Sequence, residues 1–428
     1  MASPLRVLVS GAGIAGPTLA WWLAKTGATV TILEKTPQLL PHGQNIDIHG
    51  TAITVAKKMG LMDEIRKKNT TEKGTQFIAP DGKGFGRMGM KKGSSASPTS
   101  EYEILRGDLA KVFHTAAKDL PGVDFKFGMS VKRVIKNDNK EVEVELSDGR
   151  VEKFDLLVIA DGQWSRLRKD CFPASAVEVV DYNLFVAYWT MKREETDNDD
   201  WNIYQGLGQR GMTLRPDPYG TIRAAITFMP PTPEIRKDWD EASRSGDKTL
   251  QADVLKRDFE GVGWQAERLL GGISTAPDFY FHPIQQIRMS QWSSNRVVCL
   301  GDSAWAPTPL TGSGTTLAIL GAYVLAGELA KLSPGEHPGR AFQAYDDAFR
   351  PFVKETQSFP VWVPRLVHPK TWRRRWFTQM ALAGVVRFVT HPWVIRWIDQ
   401  PADTEDYKLP EYAELDEAIK ASEVPVSG

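Results

Sequence analysis

The sequence predicts an α/β protein: a doubly wound parallel sheet interleaved with a second, mostly antiparallel sheet and followed by C-terminal helices. Three observations predict it. Residues 5–34, LRVLVSGAGIAGPTLAWWLAKTGATVTILE, read as strand, glycine turn, helix, turn and strand, which is a βαβ unit with buried parallel strands. Between about 176 and 290 the pattern changes to longer alternating segments, NLFVAYWTMKR, WNIYQGLG, GMTLRPD and TIRAAITF, as expected of antiparallel strands. From 295, NRVVCLGDSA returns to the first style, an apolar strand that ends at Gly-Asp.

In chain order, RVLVS is the first strand, IAGPTLAWWLAKTG a helix closed by Gly27, and ATVTILE the second strand. GTAITVAKKMGLMDEIRKK (50–68) forms one or two helices, and TQFIAPDGKGFGRMG a hairpin around Asp81-Gly82. ILRGDLAKVFHTAAKDL (104–120) is an amphipathic helix. A meander of strands follows, turning at Asn137–Asn139 and at Asp148-Gly149 and ending in FDLLVIA. A charged helical insert, IRKDWDEASRSGDKTLQADVLKRDF, interrupts the second sheet. One body therefore takes 1–72, 101–175 and 291–350, the other a hairpin at 73–100 and the segment 176–290, and 351–428 is a C-terminal helical region.

Totals narrow the function classes. The 428 residues suffice for two to three domains, and Lys+Arg and Asp+Glu both number 53, so no basic excess points to nucleic acid. Two cysteines, Cys171 and Cys299, give neither a disulfide framework nor a thiolate metal site, and fit a reduced, cytoplasmic setting. No metal constellation and no nucleophile–His–Asp arrangement is found. The N-terminus has no signal-peptide pattern, and no apolar run is long enough for a spanning helix.

Gly11-Ala12-Gly13-Ile14-Ala15-Gly16 is G-x-G-x-x-G placed between a strand and a helix. The first glycine permits the turn, the second lets backbone approach a pyrophosphate, and the third lets helix and strand pack closely. The helix N-terminus supplies N–H groups for the phosphates. Glu34, ending the second strand, is placed to accept hydrogen bonds from a ribose diol. A second match, GLGQRG at 206–211, is followed by MTLRPDPYG and no helix, and reads as a hairpin turn. The βαβ unit alone does not separate NAD(P) from FAD. Arg106 opening RGDLAKVF, Asp161-Gly162 closing FDLLVIADG and Gly301-Asp302 after RVVCL describe an extended ligand along the carboxyl ends of the strands, which favours FAD.

In this order the motifs resemble class A FAD-dependent monooxygenases, the p-hydroxybenzoate hydroxylase fold with its Rossmann-type FAD-binding domain. GQNIDIHGTAITVAKKMGLMDEIRKK is similar to the corresponding part of TetX-like and related fungal enzymes. The resemblance covers about residues 5–350. It implies that Gly11, Ala12, Gly13, Ile14, Ala15 and Gly16 hold the pyrophosphate, and that Glu34 and Lys35 hold the adenosine ribose. It places Asp47 near the flavin side and Arg106 against FAD. Asp161 would serve both FAD and NAD(P)H, and Asp302 the ribityl or pyrophosphate region. Gly312, Ser313, Gly314 and Thr315 would bring backbone N–H groups to the isoalloxazine. The implied reaction is hydroxylation of an aromatic or polyketide-like molecule by O₂ through a flavin C4a-hydroperoxide, with NAD(P)H as electron donor. Epoxidation, Baeyer–Villiger insertion or oxidase chemistry on the same scaffold is the alternative. An FAD-bearing binding protein and an NAD-dependent dehydrogenase are the rivals from other classes. The chain departs from the pattern at Trp305, where many relatives have His, and at Thr316, where many have Asn.

For the substrate side the candidates are Arg210, Arg223, Tyr188, Trp305 and Pro307. Tyr188 and Trp189 alternate, so one faces the cavity. Arg223 faces either the pocket or the outer sheet surface, and Trp305 either walls the substrate or packs in the core. His49 is a candidate base or a structural hydrogen-bonding group. The stretch 368–400, HPKTWRRRWFTQMALAGVVRFVTHPWVIRWIDQ, can lie on a membrane, cap the substrate domain or form a dimer interface. Packing is the expectation, without membrane contact, in a monomer or homodimer.

Overall fold

Three strands buried along their length carry continuous apolar runs, and they lie at the centre of a six-stranded sheet. Its order is Ser293–Ser294, Val297–Cys299, Leu156–Ile159, Arg6–Ser10, Thr29–Glu34 and Val123–Phe127. All neighbours are parallel except the first pair. The computed structural model describes residues 4–40, 43–91, 101–391, 393–394, 401 and 403–423. Val7, Leu8 and Val9 are fully enclosed, in one core with Leu19 and Trp22 of the first helix and Val142, Val144 and Leu146 of a smaller sheet. On one side lies the helix Ala15–Lys25, whose Trp22 meets Tyr323 of the helix Gly314–Ala330 edge-on at 4.9 Å. Gly314–Ala330 is apolar on nearly every side, as a helix buried all round must be, with Glu328 near its end as the one charged residue.

The alternating segments form a seven-stranded sheet in the order Tyr280–Met289, Val177–Lys192, Thr221–Phe228, Arg210–Pro216, Asp200–Gly206, Gly74–Ile78 and Gly84–Gly89. Only the pair Asp200–Gly206 with Gly74–Ile78 is parallel. One face, with Phe185, Trp189, Phe228 and Ile226, is covered by the helices Pro233–Ser245, Lys248–Phe259 and Ala266–Gly272, centred on Trp239. The other face carries Val186, Tyr188 and Ala225 and turns toward the loop that contains Leu310. GLGQRG is the turn between two antiparallel strands, with Gly208 and Gln209 at φ of +69° and +66°. The expected meander divides: Val123–Phe127 joins the parallel sheet, whereas Val131–Asn137, Val142–Leu146 and Val151–Phe154 make a three-stranded sheet of their own.

The C-terminal segment touches both bodies. The helix Trp372–Val389 rests on the strand Gly84–Gly89 of the seven-stranded sheet. Residues 403–423 then return to the first body. Asp406 accepts from the Thr51 N–H at 2.9 Å, capping the helix Thr51–Lys58, and Tyr412 donates to Glu328 at 2.9 Å. The Tyr412 ring lies where a Cβ on Gly327 would be. Among the described residues no helix is long and apolar enough to cross a membrane.

A methyl group at Gly327 has nowhere to go but into that ring. Gly327→Ala should therefore lower stability by about 1–3 kcal/mol and open the 403–423 strap to limited proteolysis. An unchanged melting curve and digestion pattern would overturn this role for the glycine.

Candidate active site

Four parallel strands end at one edge, and each ends in a motif read from the sequence. In sheet order these are Gly301-Asp302, Asp161-Gly162, the Gly11–Gly16 turn and Glu34-Lys35. Gly11 adopts φ +113°, and its Cα sits so close to the Ala160 carbonyl that a side chain would collide. Gly16 meets the Gly11 carbonyl in the same way, whereas a Cβ on Gly13 would meet nothing within 4 Å. The helix that starts there has no side-chain cap and no acidic residue in its first turn. Its N–H groups and positive end are therefore available to an anion. Glu34 accepts from the Ala12 N–H at 3.1 Å and from Thr36 N–H and hydroxyl at 3.0 and 2.9 Å, so the acid braces the turn itself.

The loop 301–318 is pinned from two sides. Gly301, at φ +71°, packs against the Ala15 methyl, so this turn abuts the start of the glycine-motif helix. From the other sheet, Gln286 donates to the Pro307 carbonyl at 2.9 Å and the Ile287 N–H to the Ala306 carbonyl at 3.1 Å. Gly312 is left-handed and leads into the helix Gly314–Ala330, again without a side-chain cap or a first-turn acid. Asp302 and the Pro307 ring both lie about 4 Å from the Cβ position of Gly314. Thr308 and Thr316 each bury a hydroxyl oxygen with no protein partner.

Arg168, which the sequence reading passes over, joins two of the motifs. Its guanidinium donates to the Ser303 carbonyl at 2.7 Å and to the Gln163 carbonyl at 3.0 Å. A second arginine of the stretch WSRLRKD only seven residues after Asp161 is a weak signal, because an arginine there is commonly solvated. Asp161 is open to solvent yet flanked by protein. Burial raises its pKa against the pull of Ser165, Arg168 and Lys35. Burial also raises the pKa of Asp302, against the opposing charge of Arg106.

Across from this edge stands the uncovered face of the seven-stranded sheet. Tyr188 lies there beside His282 and Tyr280, with ring separations of 6.3 Å and, between the last two, 4.5 Å. Burial pushes the Tyr188 hydroxyl up to about 12. His282 is pushed down to about 4 by burial, with Arg106 adding to the effect. Its Nδ1 is 3.0 Å from the Pro283 carbonyl, an acceptor only, so Nδ1 carries the proton. Behind Tyr188, Arg215 ties the bodies together. It donates to Glu72 at 2.8 and 3.1 Å and to Glu103, and stacks 4.2 Å from Trp201. Glu103 also accepts from Asn45 and Thr70, each at 2.7 Å. Burial raises the Glu103 pKa despite Arg215, since Glu72 and Asp47 share the same cation. Arg215 holds its proton more tightly than usual: burial opposes this, but the two glutamates outweigh it.

The substrate-side candidates fare unequally. Tyr188 lies on the face turned toward the loop that contains Leu310, and Trp189 is packed beneath the helices. Trp305 packs in the core and walls no substrate site. It is enclosed by Trp292 at 4.5 Å, Phe349 at 5.6 Å and Tyr345 at 5.9 Å, and no ring face is left for a ligand. Arg210 lies on the helix-covered face over Phe228 and Phe259 and donates to the Asp258 and Leu207 carbonyls, so its place is structural. Arg223 is buried in ion pairs with Asp217 at 3.0 Å and Asp278 at 2.8 Å, which match its charge inside the protein. His49 is half-buried between the strand Asn45–Asp47 and the helix Thr51–Lys58. Asp47 lies beside Glu103, its register partner. Among the described residues no group of three His, Cys, Asp or Glu could hold a metal.

The edge suits FAD. It offers open backbone at Gly13, two uncapped helix starts, orphaned Thr308 and Thr316 hydroxyls, and an exposed Arg106 facing Asp302. Comparison with known proteins agrees. The model of the FAD binding domain family matches residues 4–359. The chain is 35% identical over 418 residues to "Monooxygenase CTB7" of Cercospora beticola, covering 95% of this chain and 97% of that protein. It is 33% identical over 387 residues to "Flavin-dependent monooxygenase eupH" of a Phoma species, covering 86% and 88%. The solved structure of tetracycline destructase Tet(55) superposes with a TM-score of 0.76 at 26% identity, covering 96% of this chain and 99% of that one.

The Arg215 cluster makes a stability prediction. Arg215→Met strands two buried carboxyl groups and should cost about 3–5 kcal/mol. Stranded carboxyls have folded pKa values above their unfolded ones, so their stabilising effect is present at low pH and lost as pH rises. The variant's deficit should thus be smaller at pH 5 than at pH 8, and adding Glu72→Gln and Glu103→Gln should recover much of it. A pH-independent deficit in thermal melts would refute the assignment.

Proposed function

The chain belongs to the family of FAD-dependent monooxygenases built on this FAD-binding domain, and from that premise we propose that it is a single-component cytoplasmic enzyme. It would use NAD(P)H and O₂ to hydroxylate an aromatic or polyketide-like molecule carrying a phenol or enol. The observation that carries the reading is the pairing of Tyr188 and His282 on the uncovered sheet face, opposite the edge of Asp302 and Arg106. Support for the substrate class comes from the structural relative named as a tetracycline destructase.

Bound FAD supplies the redox chemistry, taking electrons from the nicotinamide and activating O₂ for transfer of one oxygen atom. The protein's part is placement and protonation. Uncapped N–H groups at Gly13 to Gly16 would hold the pyrophosphate, and Glu34 with Lys35 the adenosine ribose. Arg106 and Asp302 would take the middle of the cofactor. The N–H groups at Gly312 to Thr315, at the positive end of an apolar helix, would favour negative charge on the reduced ring. Tyr188 stays protonated at neutral pH and is a hydrogen-bond donor. His282 stays neutral, with Nε2 as an acceptor. A phenolic or enolic hydroxyl can donate to one and accept from the other, which fixes the carbon presented to the cofactor.

The test is NADPH and NADH oxidation with a panel of phenols and enols, measuring oxygenated product against H₂O₂. Substrate-triggered oxidation with oxygenated product is expected; peroxide equal to the nicotinamide consumed identifies an oxidase and overturns the reading. Asp302→Ala should lower the flavin-to-protein absorbance ratio at least several-fold, and full retention of flavin refutes its role. Tyr188→Phe should raise KM and the peroxide fraction at unchanged flavin content. A variant that couples like the wild type removes Tyr188 from the substrate site.

A further inference from the structure

The sequence reading expects the Trp/Arg-rich C-terminal stretch to be packed away, and the structure shows otherwise. The helix Trp372–Val389 touches the strand Gly84–Gly89 along a narrow side, where Val386 lies 3.5 Å from the Cβ position of Gly86. The rest of its circumference faces outward. Trp372, Trp376, Phe377, Met380 and Phe388 are each more than half exposed, and Trp362 before the helix and Trp393 after it are exposed as well. Isolated exposed apolar side chains are ordinary, but a cluster of large aromatics on one helix is not.

Charge identifies what covers it. In a chain with equal numbers of acids and bases, the 42 residues from Gln357 to Ile398 contain seven Lys or Arg and no Asp or Glu. Among the described residues, none of Arg373, Arg374, Arg375 and Arg387 makes an ion pair; Arg373 lies instead over the Trp372 ring at 5.6 Å. A second copy pairing this face with itself would bring the two sets of unmatched cations together. An anionic lipid surface answers both features, because indole and phenyl rings settle at headgroup depth while guanidinium groups meet lipid phosphates. The helix is not apolar enough to span, so it would lie in the interfacial plane.

We propose that the outward face of the helix Trp372–Val389, with Trp362 and Trp393, binds this protein peripherally to membranes rich in anionic lipid. The approach to this face is joined to the substrate sheet. His368 shares a hydrogen bond of 2.9 Å with Thr227, whose strand neighbour Ala225 is the register partner of Tyr188. An enzyme seated this way would have the Tyr188 face of that sheet one loop away from a lipid surface in which apolar substrates concentrate.

The test is sedimentation of the full-length flavoprotein with phosphatidylcholine vesicles, with and without 30 mol% phosphatidylserine. The expected result is at least a ten-fold higher bound-to-free ratio on the anionic vesicles, reversed by 0.5 M NaCl, with a blue shift of tryptophan emission. Trp376→Glu combined with Phe377→Glu should abolish binding while flavin content and oligomeric state stay unchanged. Arg373→Glu with Arg374→Glu should remove the preference for the anionic vesicles. Equal partitioning on both vesicle types overturns the proposal, as does binding that survives both variants. A wild-type dimer by light scattering that fails to bind vesicles and becomes monomeric in the Trp376/Phe377 variant assigns the face to self-association instead.

Discussion

One buried cation holds the two working surfaces opposite each other. Arg215 comes from the seven-stranded sheet, while Glu103 belongs to the short strand that leads directly into Arg106 and its helix. Removing charges from water is costly, and only a fork that satisfies both carboxyl groups compensates. The pairing is therefore selective about geometry: a shift of either body leaves an acid stranded. Tyr219, donating to Asp108 at 2.7 Å, repeats the link in the first turn of that helix. Tyr188 and Arg106 thus keep their relation through polar contacts together with apolar packing at the junction, where Ile287 and Met289 of the seven-stranded sheet join the core of the first body.

The carboxyl edge depends on a different constraint, close approach of backbone to backbone. Gly11 against Ala160, Gly16 against Gly11 and Gly301 against Ala15 bring three turns within contact of one another. Only the Ala15 methyl stands between them, so the N–H groups of the first helix lie in the same rim as Asp302 and Asp161. Gly13 is the contrasting case, since nothing in the protein requires it to be glycine. Room left there is room for a ligand.

These constraints explain how far the sequence could be read. The βαβ unit, the Gly-Asp and Asp-Gly strand ends and the misleading GLGQRG turn were legible because short-range rules govern them: strand, turn and helix follow one another within a few residues. The partners of Arg215 were not, because Glu72, Glu103 and Arg215 are brought together by tertiary packing and nothing local marks any of them. Arg223 and Arg215 occupy register-paired positions on adjacent strands, yet one is matched among aspartates at the sheet's own rim and the other bridges to the first body. Trp305 misleads for a related reason. A tryptophan after a Gly-Asp motif looks poised beside a ligand, but the four-residue helix Asp302–Trp305 turns it inward while leaving Asp302 at the edge.

The loop 301–318 shows how stiffness is obtained where composition disfavours regular structure. Thr308 is held at φ +80°, a conformation that costs a non-glycine residue about 1–3 kcal/mol. It persists because its neighbours are fixed: the Ala306 and Pro307 carbonyls accept from Ile287 and Gln286, and Gln357 donates to both the Ile287 and Ala306 carbonyls. These donors all belong to elements outside the loop, so the loop is set by the strand Tyr280–Met289, the same strand that carries His282. Position of the uncapped helix start and position of His282 are consequently not independent. A ligand held at His282, as proposed, would be referred through one strand and two carbonyl groups to the backbone at Gly314.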